Sequence, residues 1–143
     1  MLKYNLTHIE KQKLSLIPCF NRTIFSFKRG WYDLVKNLGI DILDECMSDT
    51  GLSKLKFVPE IREVKEKFGI MSIHFKDGEL QKLHSTSKDK ILDLCRKTEK
   101  ESQYICEYCG EFGELISDNG LWKTLCKNHT DTGQGIKSID EYE

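Results

Sequence analysis

Proline is scarce in this 143-residue sequence, which has only two, and its ten glycines are spread along the chain. No proline-rich or glycine-rich linker therefore divides it. Long apolar runs are also missing: the uncharged stretch from Leu14 to Asn21 is broken by Pro18 and is far shorter than a membrane span. Since no secretory signal precedes this stretch, we expect a cytoplasmic protein that does not bind membranes.

The motifs that mark common enzymes are absent as well. The chain has no serine elbow, Walker phosphate loop, HExxH motif or paired-carboxylate motif. His8, His74 and His84 lack a spacing that would pair them with another candidate ligand. Cys46 and Cys95 fall at apolar positions of predicted helices, which is typical of buried free thiols. We therefore predict no catalytic residues and a protein that is not an enzyme.

The net charge is small but unevenly distributed along the chain. The formal total is −1, yet residues 1–30 carry six basic side chains and one acidic side chain, a net charge of +5. Residues 31–143 carry 16 basic and 22 acidic side chains, a net charge of −6. A globally basic nucleic-acid-binding protein does not have this pattern. Two interpretations of the basic start remain open: a solvated arm, or a patch that contacts an acidic partner.

Hydrophobic periodicity predicts an α+β fold with a small core of helices and strands. Apolar residues recur at helical spacing over 31–47, and a serine-rich cap precedes a second helix that ends near residue 102. Alternation over 70–76 predicts a strand. Residues 59–68 fit a capped helix and a strand equally well. The first thirty residues are predicted to be irregular or extended, with a short strand near residues 24–27.

Four residues near the C-terminus have the spacing of a metal site. Cys106 and Cys109 form one pair, Cys126 and His129 form another, and sixteen residues separate the pairs. This is the spacing of structural zinc sites, with histidine in place of the last cysteine. Zn²⁺ prefers thiolate and imidazole ligands, and four protein ligands leave no position for a water molecule. We therefore predict one structural Zn²⁺; a disulfide framework is the less favoured alternative in a cytoplasmic protein.

The residues between the two ligand pairs predict a β-hairpin. Segments 112–116 and 121–125 flank an Asn119-Gly120 turn, and a knuckle, a hairpin and a second ligand pair together are typical of a zinc-ribbon or treble-clef-like module. The predicted organisation has three parts: an α+β core over 1–103 with the basic arm at 1–30, a zinc-binding module over 104–129, and a flexible acidic tail over 130–143.

Several segments together resemble a known group of proteins. They are Gly30-Trp31-Tyr32, Val64–Gly69, the run from Glu101 to Gly110, and Leu121–Cys126. The chain resembles short zinc-binding proteins encoded by phages and prophages. Among these it is similar to the small zinc-containing anti-CRISPR proteins that inhibit the type II nuclease Cas9. The resemblance spans roughly residues 30–129 and leaves the basic start and the tail uncovered.

The resemblance implies a phage-encoded protein that acts in the bacterial host cell by binding a protein, Cas9 or another host defence nuclease. It would block target-DNA binding or cleavage stoichiometrically, and only the four metal ligands carry over. The alternative is a nucleic-acid-binding zinc module that regulates phage transcription. Segment 104–129 has two lysines against four acidic residues, a net charge of −2. Because DNA-reading fingers present basic faces to phosphates, we expect no strong binding to free nucleic acid.

Overall fold

The protein has a mixed α+β architecture, as predicted. The computed structural model describes residues 2–48, 57–118 and 120–130, and residues 131–143 of the predicted tail lie outside them. Within these ranges the helices and strands are α1 (His8–Ser15), β1 (Ile24–Ser26), α2 (Tyr32–Ser48), β2 (Ile61–Lys67), β3 (Ile70–Phe75), α3 (Ser85–Glu101), β4 (Glu114–Asp118), β5 (Leu121–Leu125) and α4 (Lys127–Thr130).

Three strands form the first sheet, in the order β1-β2-β3. β1 pairs with β2 in parallel, and β2 pairs with β3 in the antiparallel sense. The segment that fitted helix and strand equally is therefore a strand. A register irregularity between Ile61 and Glu63 leaves Ile61 and Val64 both fully buried. Buried residues three positions apart imitate helical spacing, and a bulge of this kind explains why periodicity did not decide the segment.

The two long helices pack against each other, and α3 also packs on β3. Both helices confirm the sequence prediction to within a residue or two, although His84 and not a serine occupies the N-cap of α3. Cys46 and Cys95 lie buried on their apolar faces, as predicted. Across the described ranges, no helix combines the length and the apolar character needed to cross a membrane. The most completely buried large side chains of the core include Trp31, Phe20, Leu14, Leu38, Ile42, Ile61, Met71 and Ile91.

The first thirty residues contribute to this core, so the expectation that they are irregular or extended is wrong except for the short strand, and a solvated arm, one of the two interpretations left open, does not describe them. Thr7 caps α1 through a reciprocal capping box with Glu10. Leu14 and Phe20 are fully buried, and Phe27 is nearly so. These apolar residues lie on a short helix, a 3₁₀ turn and a strand end in succession. No single period runs through such a series, and their burial depends on packing against α2 and the sheet.

The second sheet is the hairpin of β4 and β5, which confirms the predicted hairpin. Leu115 pairs with Thr124 in its antiparallel register. Asn119, in the predicted turn, lies outside the described residues, whereas Gly120 has a φ of +85°. The hairpin lies against the turn between β2 and β3, where the Thr124 hydroxyl donates to the carbonyl oxygen of Gly69 at 2.7 Å. This contact ties the C-terminal hairpin to the first sheet.

Candidate metal centre

Two short backbone structures hold the four predicted ligands. The first is a knuckle after α3, where the Gly110 N–H donates to the Cys106 carbonyl oxygen at 2.9 Å and Gly110 has a φ of +85°. Glycine adopts this left-handed conformation without strain, so the chain reverses directly after Cys109. The second is the junction of β5 and α4, where the His129 N–H donates to the Cys126 carbonyl oxygen at 3.1 Å. Each structure places two ligands side by side.

The four side chains converge on one point. Their ligand atoms all lie within 4.8 Å of one another. Cys109 Sγ is 3.6 Å from Cys126 Sγ, and His129 Nδ1 is 3.5 Å from Cys106 Sγ and 3.1 Å from Cys126 Sγ. Bond lengths of about 2.3 Å to sulfur and about 2.0 Å to nitrogen put tetrahedral Zn²⁺ ligands about 3.5–3.8 Å apart. The donor set therefore fits a metal ion, and all four positions come from the protein.

A tyrosine from the other end of the chain orients the histidine ligand. Tyr4 Oη lies 3.0 Å from His129 Nε2, the ring nitrogen that faces away from the three sulfur atoms. With Nδ1 bound to a metal, Nε2 carries the proton and donates it to this oxygen. The Tyr4 ring also stacks on Tyr108, with ring centroids 4.6 Å apart and an angle of 11° between the planes. The spacing of the ligands gives no signal of this contact, and sequence reasoning missed it.

Burial opposes ionisation of the knuckle thiols, so a cation is needed to convert them to thiolates. Burial raises the pKa of Cys106 to about 12, and burial also raises the pKa of Cys109. The pKa of His129 is lowered by burial and by the nearby Lys3. The Cys106 and Cys109 thiols therefore resist ionisation by themselves, and burial keeps the His129 imidazole neutral. A divalent cation reverses that preference, because coordination deprotonates thiols outright.

Hydrogen bonds from the N-terminal part of the chain hold the knuckle. The Gly30 N–H donates to the Glu107 carbonyl oxygen at 2.7 Å, and the Trp31 indole N–H donates to the Ile105 carbonyl oxygen at 2.9 Å. A Cβ on Gly30 would overlap the carbonyl oxygens of Cys106 and Glu107, so no other residue fits there without displacement. The close approach of two backbones is what requires glycine at this position.

Glu107, between the two knuckle cysteines, is buried rather than solvated. Its Oε2 accepts a hydrogen bond from the Lys28 N–H at 3.1 Å, and its Oε1 has no partner among the described residues. Burial raises the pKa of this carboxyl group to about 7. Counting acidic residues along the segment treats Glu107 as a surface charge, because no local pattern marks it as buried.

A cleft of about 1030 Å³ opens beside the metal centre, between the N-terminal residues, the start of α2 and the knuckle. Arg29 and Glu10 form an ion pair across part of it, with the charged atoms 3.1 Å apart. The cleft also contains Lys3, Asp33 and Glu111. With charges of both signs on its walls, the cleft does not select a ligand by charge.

The remaining histidines and cysteines do not form a second centre in the described ranges. His74 Nε2 lies 2.8 Å from the Ser72 hydroxyl oxygen. Cys19 is buried beside Cys46 and Cys95, and burial raises the pKa of Cys95 to about 12. The Cys106, Cys109, Cys126 and His129 set is the only group with metal-ligand spacing in the part of the chain that the structure describes.

Comparisons with known proteins assign no family to this chain. No family model, no curated protein and no solved structure matches it. The geometry of the metal centre and of the surface around it therefore carries the functional argument.

Proposed function

We propose that the centre binds one structural Zn²⁺ and that the protein acts by binding another protein rather than by catalysis. The observation that carries this proposal is the donor set itself, in which four protein side chains bring their ligand atoms within 4.8 Å of one another. Catalytic zinc sites keep a position for water or substrate, whereas four protein ligands leave none. Three thiolates and an imidazole select zinc over harder ions such as Mg²⁺ and Ca²⁺.

The partner in this proposal is Cas9 or another nuclease of the host defence, and the protein is a phage-encoded anti-CRISPR inhibitor in the host cytoplasm. Two features support it. Segments across residues 30–129 resemble small zinc-containing inhibitors of this kind. The chain beyond residue 30 has a net charge of −6, which complements the positively charged nucleic-acid channel of Cas9. A bound inhibitor in that channel blocks target-DNA binding or cleavage without turning over a substrate.

A DNA-cleavage titration at a fixed concentration of Cas9 and guide RNA tests the proposal. Inhibition is expected to saturate near a fixed molar ratio of protein to Cas9, and the two are expected to co-elute in size-exclusion chromatography. Cys109→Ala should lose both effects, and Cys95→Ala should keep both. Inhibition far below one molecule per Cas9, with no complex, would show a catalytic mechanism. The absence of inhibition at every ratio would exclude Cas9 as the partner.

A parallel measurement addresses the nucleic-acid alternative. Segment 104–129 has a net charge of −2, so the free protein is expected to bind DNA weakly and only at low salt. Fluorescence anisotropy with labelled double-stranded DNA at physiological salt measures this affinity. Tight, sequence-selective binding under those conditions would make the protein a DNA-binding regulator instead.

A further inference from the structure

Phe68 and Gly69 form the two-residue turn between β2 and β3, and a type I′ hairpin turn requires a positive φ at both positions; Gly69 has a φ of +83°. Phe68 has a φ of +55°, and it is the only residue other than glycine with a positive φ in the described ranges. The turn therefore accounts for the backbone conformation, whereas asparagine or glycine is the residue that usually occupies such a position. The Phe68 side chain is 69% exposed, so its ring does not contribute to the core.

Phe68 forms one wall of an apolar hollow on the surface. The hollow has a volume of about 450 Å³ and is lined by Phe68, Ile70, Leu115, Gly120 and Trp122. Trp122 is 47% exposed, so two aromatic rings face solvent at one place. We call these five residues and the adjoining groove described next the Phe68 face.

Hydrogen bonds at Gly69 fix this arrangement. Its N–H donates to a carboxylate oxygen of Glu66 at 2.7 Å, and its carbonyl oxygen accepts from the Thr124 hydroxyl at 2.7 Å. The second bond joins the turn to β5, the strand that carries Trp122. The two backbone segments that carry the aromatic walls are therefore joined through Gly69. A hollow fixed in this way loses little conformational entropy when it is filled.

A groove with a basic rim adjoins the hollow. It shares Phe68 and Ile70 with the hollow, has a volume of about 440 Å³, and is lined by three basic side chains and one acidic one. Lys67 and Lys100 form no ion pair within the described residues, whereas Arg96 pairs with Asp93 at 2.8 Å. The acidic side chain, Glu99, already accepts a hydrogen bond from the Ile73 N–H at 2.9 Å. The side chains that line the groove therefore have a net charge of +2, on a body whose net charge beyond residue 30 is −6.

We infer that the Phe68 face docks an apolar side chain from an acidic segment of a partner protein. This inference rests on the proposed function, that the molecule acts by binding a protein. The apolar hollow accepts the anchoring side chain, and Lys67 and Lys100 pair with carboxylates beside it. Aromatic anchors in desolvated hollows supply most of the energy of protein interfaces, and charged rims select the partner.

Charge also decides against two other occupants. A nucleic acid carries regularly spaced phosphates that continue past the groove onto the acidic body, where they are repelled. A second copy of this chain, related by a two-fold axis through the Phe68 face, would bring this basic rim close to the same basic rim of its mate. A protein segment needs to place only one or two carboxylates at the rim, where Lys67 and Lys100 can pair with them.

The decisive variant is Phe68→Asn. Asparagine tolerates the left-handed conformation, so the change removes the ring and also relieves the backbone strain. We expect an unchanged or higher melting temperature together with loss of binding. Phe112→Asn is the matched control, because Phe112 is 71% exposed and does not line the hollow or the groove. A folded variant that has lost binding separates docking from stability.

A library of random peptides displayed on a surface provides the probe. Selection on the intact wild-type protein is expected to enrich peptides that join Leu, Ile or Phe to Asp or Glu. Synthetic copies of these peptides should bind Phe68→Asn at least about tenfold more weakly and Phe112→Asn normally. Reversing the rim with Lys67→Glu and Lys100→Glu should shift the preference towards basic peptides. Enrichment without acidic residues, or equal binding to both asparagine variants, would overturn the inference.

Two further measurements test the other occupants. If labelled oligo(dT) binds the wild-type protein more tightly than the enriched peptides and this binding is lost in Phe68→Asn, the face is a nucleic-acid site. If sedimentation shows a dimer that Phe68→Asn abolishes, the face is a self-association surface. Either result would overturn the inference of a protein partner.

The Cas9 titration separates failure of this inference from failure of the proposed function. If Phe68→Asn inhibits Cas9 as the wild type does, the protein is an inhibitor but does not contact Cas9 through the Phe68 face. If peptide binding depends on Phe68 but Cas9 is not inhibited, the Phe68 face is a docking surface and Cas9 is not the partner.

Discussion

The α+β core and the metal-binding segment are stabilised by different means. Among the described residues up to Cys95, fifteen buried apolar residues form a continuous cluster. Among the described residues of segment 104–130, the buried apolar cluster contains Cys106, Leu125 and Cys126, and two of these three belong to the candidate metal centre. A short segment with so little apolar burial cannot offset the entropy of ordering its backbone. The core is therefore held by apolar packing, and the segment by its ligands and by its contacts with the core.

Those contacts come from residues far away in sequence. Tyr4 contacts the histidine ligand, and Gly30 and Trp31 bind the backbone of the knuckle. The N-terminal residues therefore contribute to both regions: they complete the apolar core and also position the candidate metal centre. Substitutions in each region should accordingly separate the two sources of stability.

The largest expected effect is loss of the metal segment in Cys109→Ala. Zinc-finger peptides gain about 10–16 kcal/mol of apparent free energy from their metal, so losing one ligand should release Zn²⁺ and unfold residues 104–130. Metal analysis and hydrogen exchange measure this, with protection expected to persist in α2 and α3. Cys95→Ala is the control: it should lower the free energy of unfolding by about 1 kcal/mol and keep one Zn²⁺ per chain. Full zinc content and full protection in Cys109→Ala would contradict the assignment.

The next effect concerns the joint between the two regions. In Gly30→Ala the new methyl group meets the carbonyl oxygens of Cys106 and Glu107, so the knuckle must move away from α2. We expect the free energy of unfolding to fall by about 3 kcal/mol. Urea denaturation provides the measurement. Gly78→Ala is the control, because Gly78 has open space around it and only its φ of +84° is strained by a side chain. If both variants lose the same free energy of unfolding, the contact between Gly30 and the knuckle makes no special contribution to stability.

Tyr4→Phe tests the contact between the N-terminal residues and the metal centre. The change keeps the ring stacked on Tyr108 and removes only the hydroxyl group that faces His129 Nε2. Partners of this kind typically contribute about tenfold or more to metal affinity. Competition with a chromophoric chelator should show about a tenfold weaker affinity for Zn²⁺. Tyr104→Phe, at an exposed position, should leave the affinity unchanged. If both variants bind Zn²⁺ as the wild type does, Tyr4 does not position the histidine.

The smallest effect lies in the core and depends on pH. A hydrogen bond from the Glu60 N–H, at 2.8 Å, lowers the pKa of Glu79, and Lys82 adds to the effect. The charged carboxylate therefore stabilises the fold above the ordinary glutamate pKa, and this contribution disappears as the pH falls through the lowered value. Glu79→Gln should cost about 1 kcal/mol at neutral pH and progressively less in acid. Urea denaturation across this pH range checks it, with Asp77→Asn as the control. If the loss of unfolding free energy in Glu79→Gln does not change with pH, it comes from altered packing and not from the charge.

Local sequence patterns predict many of the helices and strands. Both long helices, the strand after Gly69 and the C-terminal hairpin follow from periodicity over adjacent residues. Periodicity does not identify β2 as a strand, because a bulge changes the spacing of buried residues inside it and buries both Ile61 and Val64. The first thirty residues were mispredicted for a related reason. Leu14 and Phe20 lie on different short elements, and only their packing against α2 and the sheet buries them.

The identity and spacing of the Cys₃His donors follow from the sequence alone, because each pair is local and a two-residue gap brings both members to one ion. What surrounds these donors, and which surface is left exposed, depends on how separate elements pack. Tyr4 meets His129 across 125 positions of the chain, and Glu107 accepts a hydrogen bond from the backbone of Lys28. Phe68 lies beside Trp122 only because the hairpin packs on the Gly69 turn. Contacts of this range leave no periodic trace in the sequence, since the packing of separate elements alone creates them.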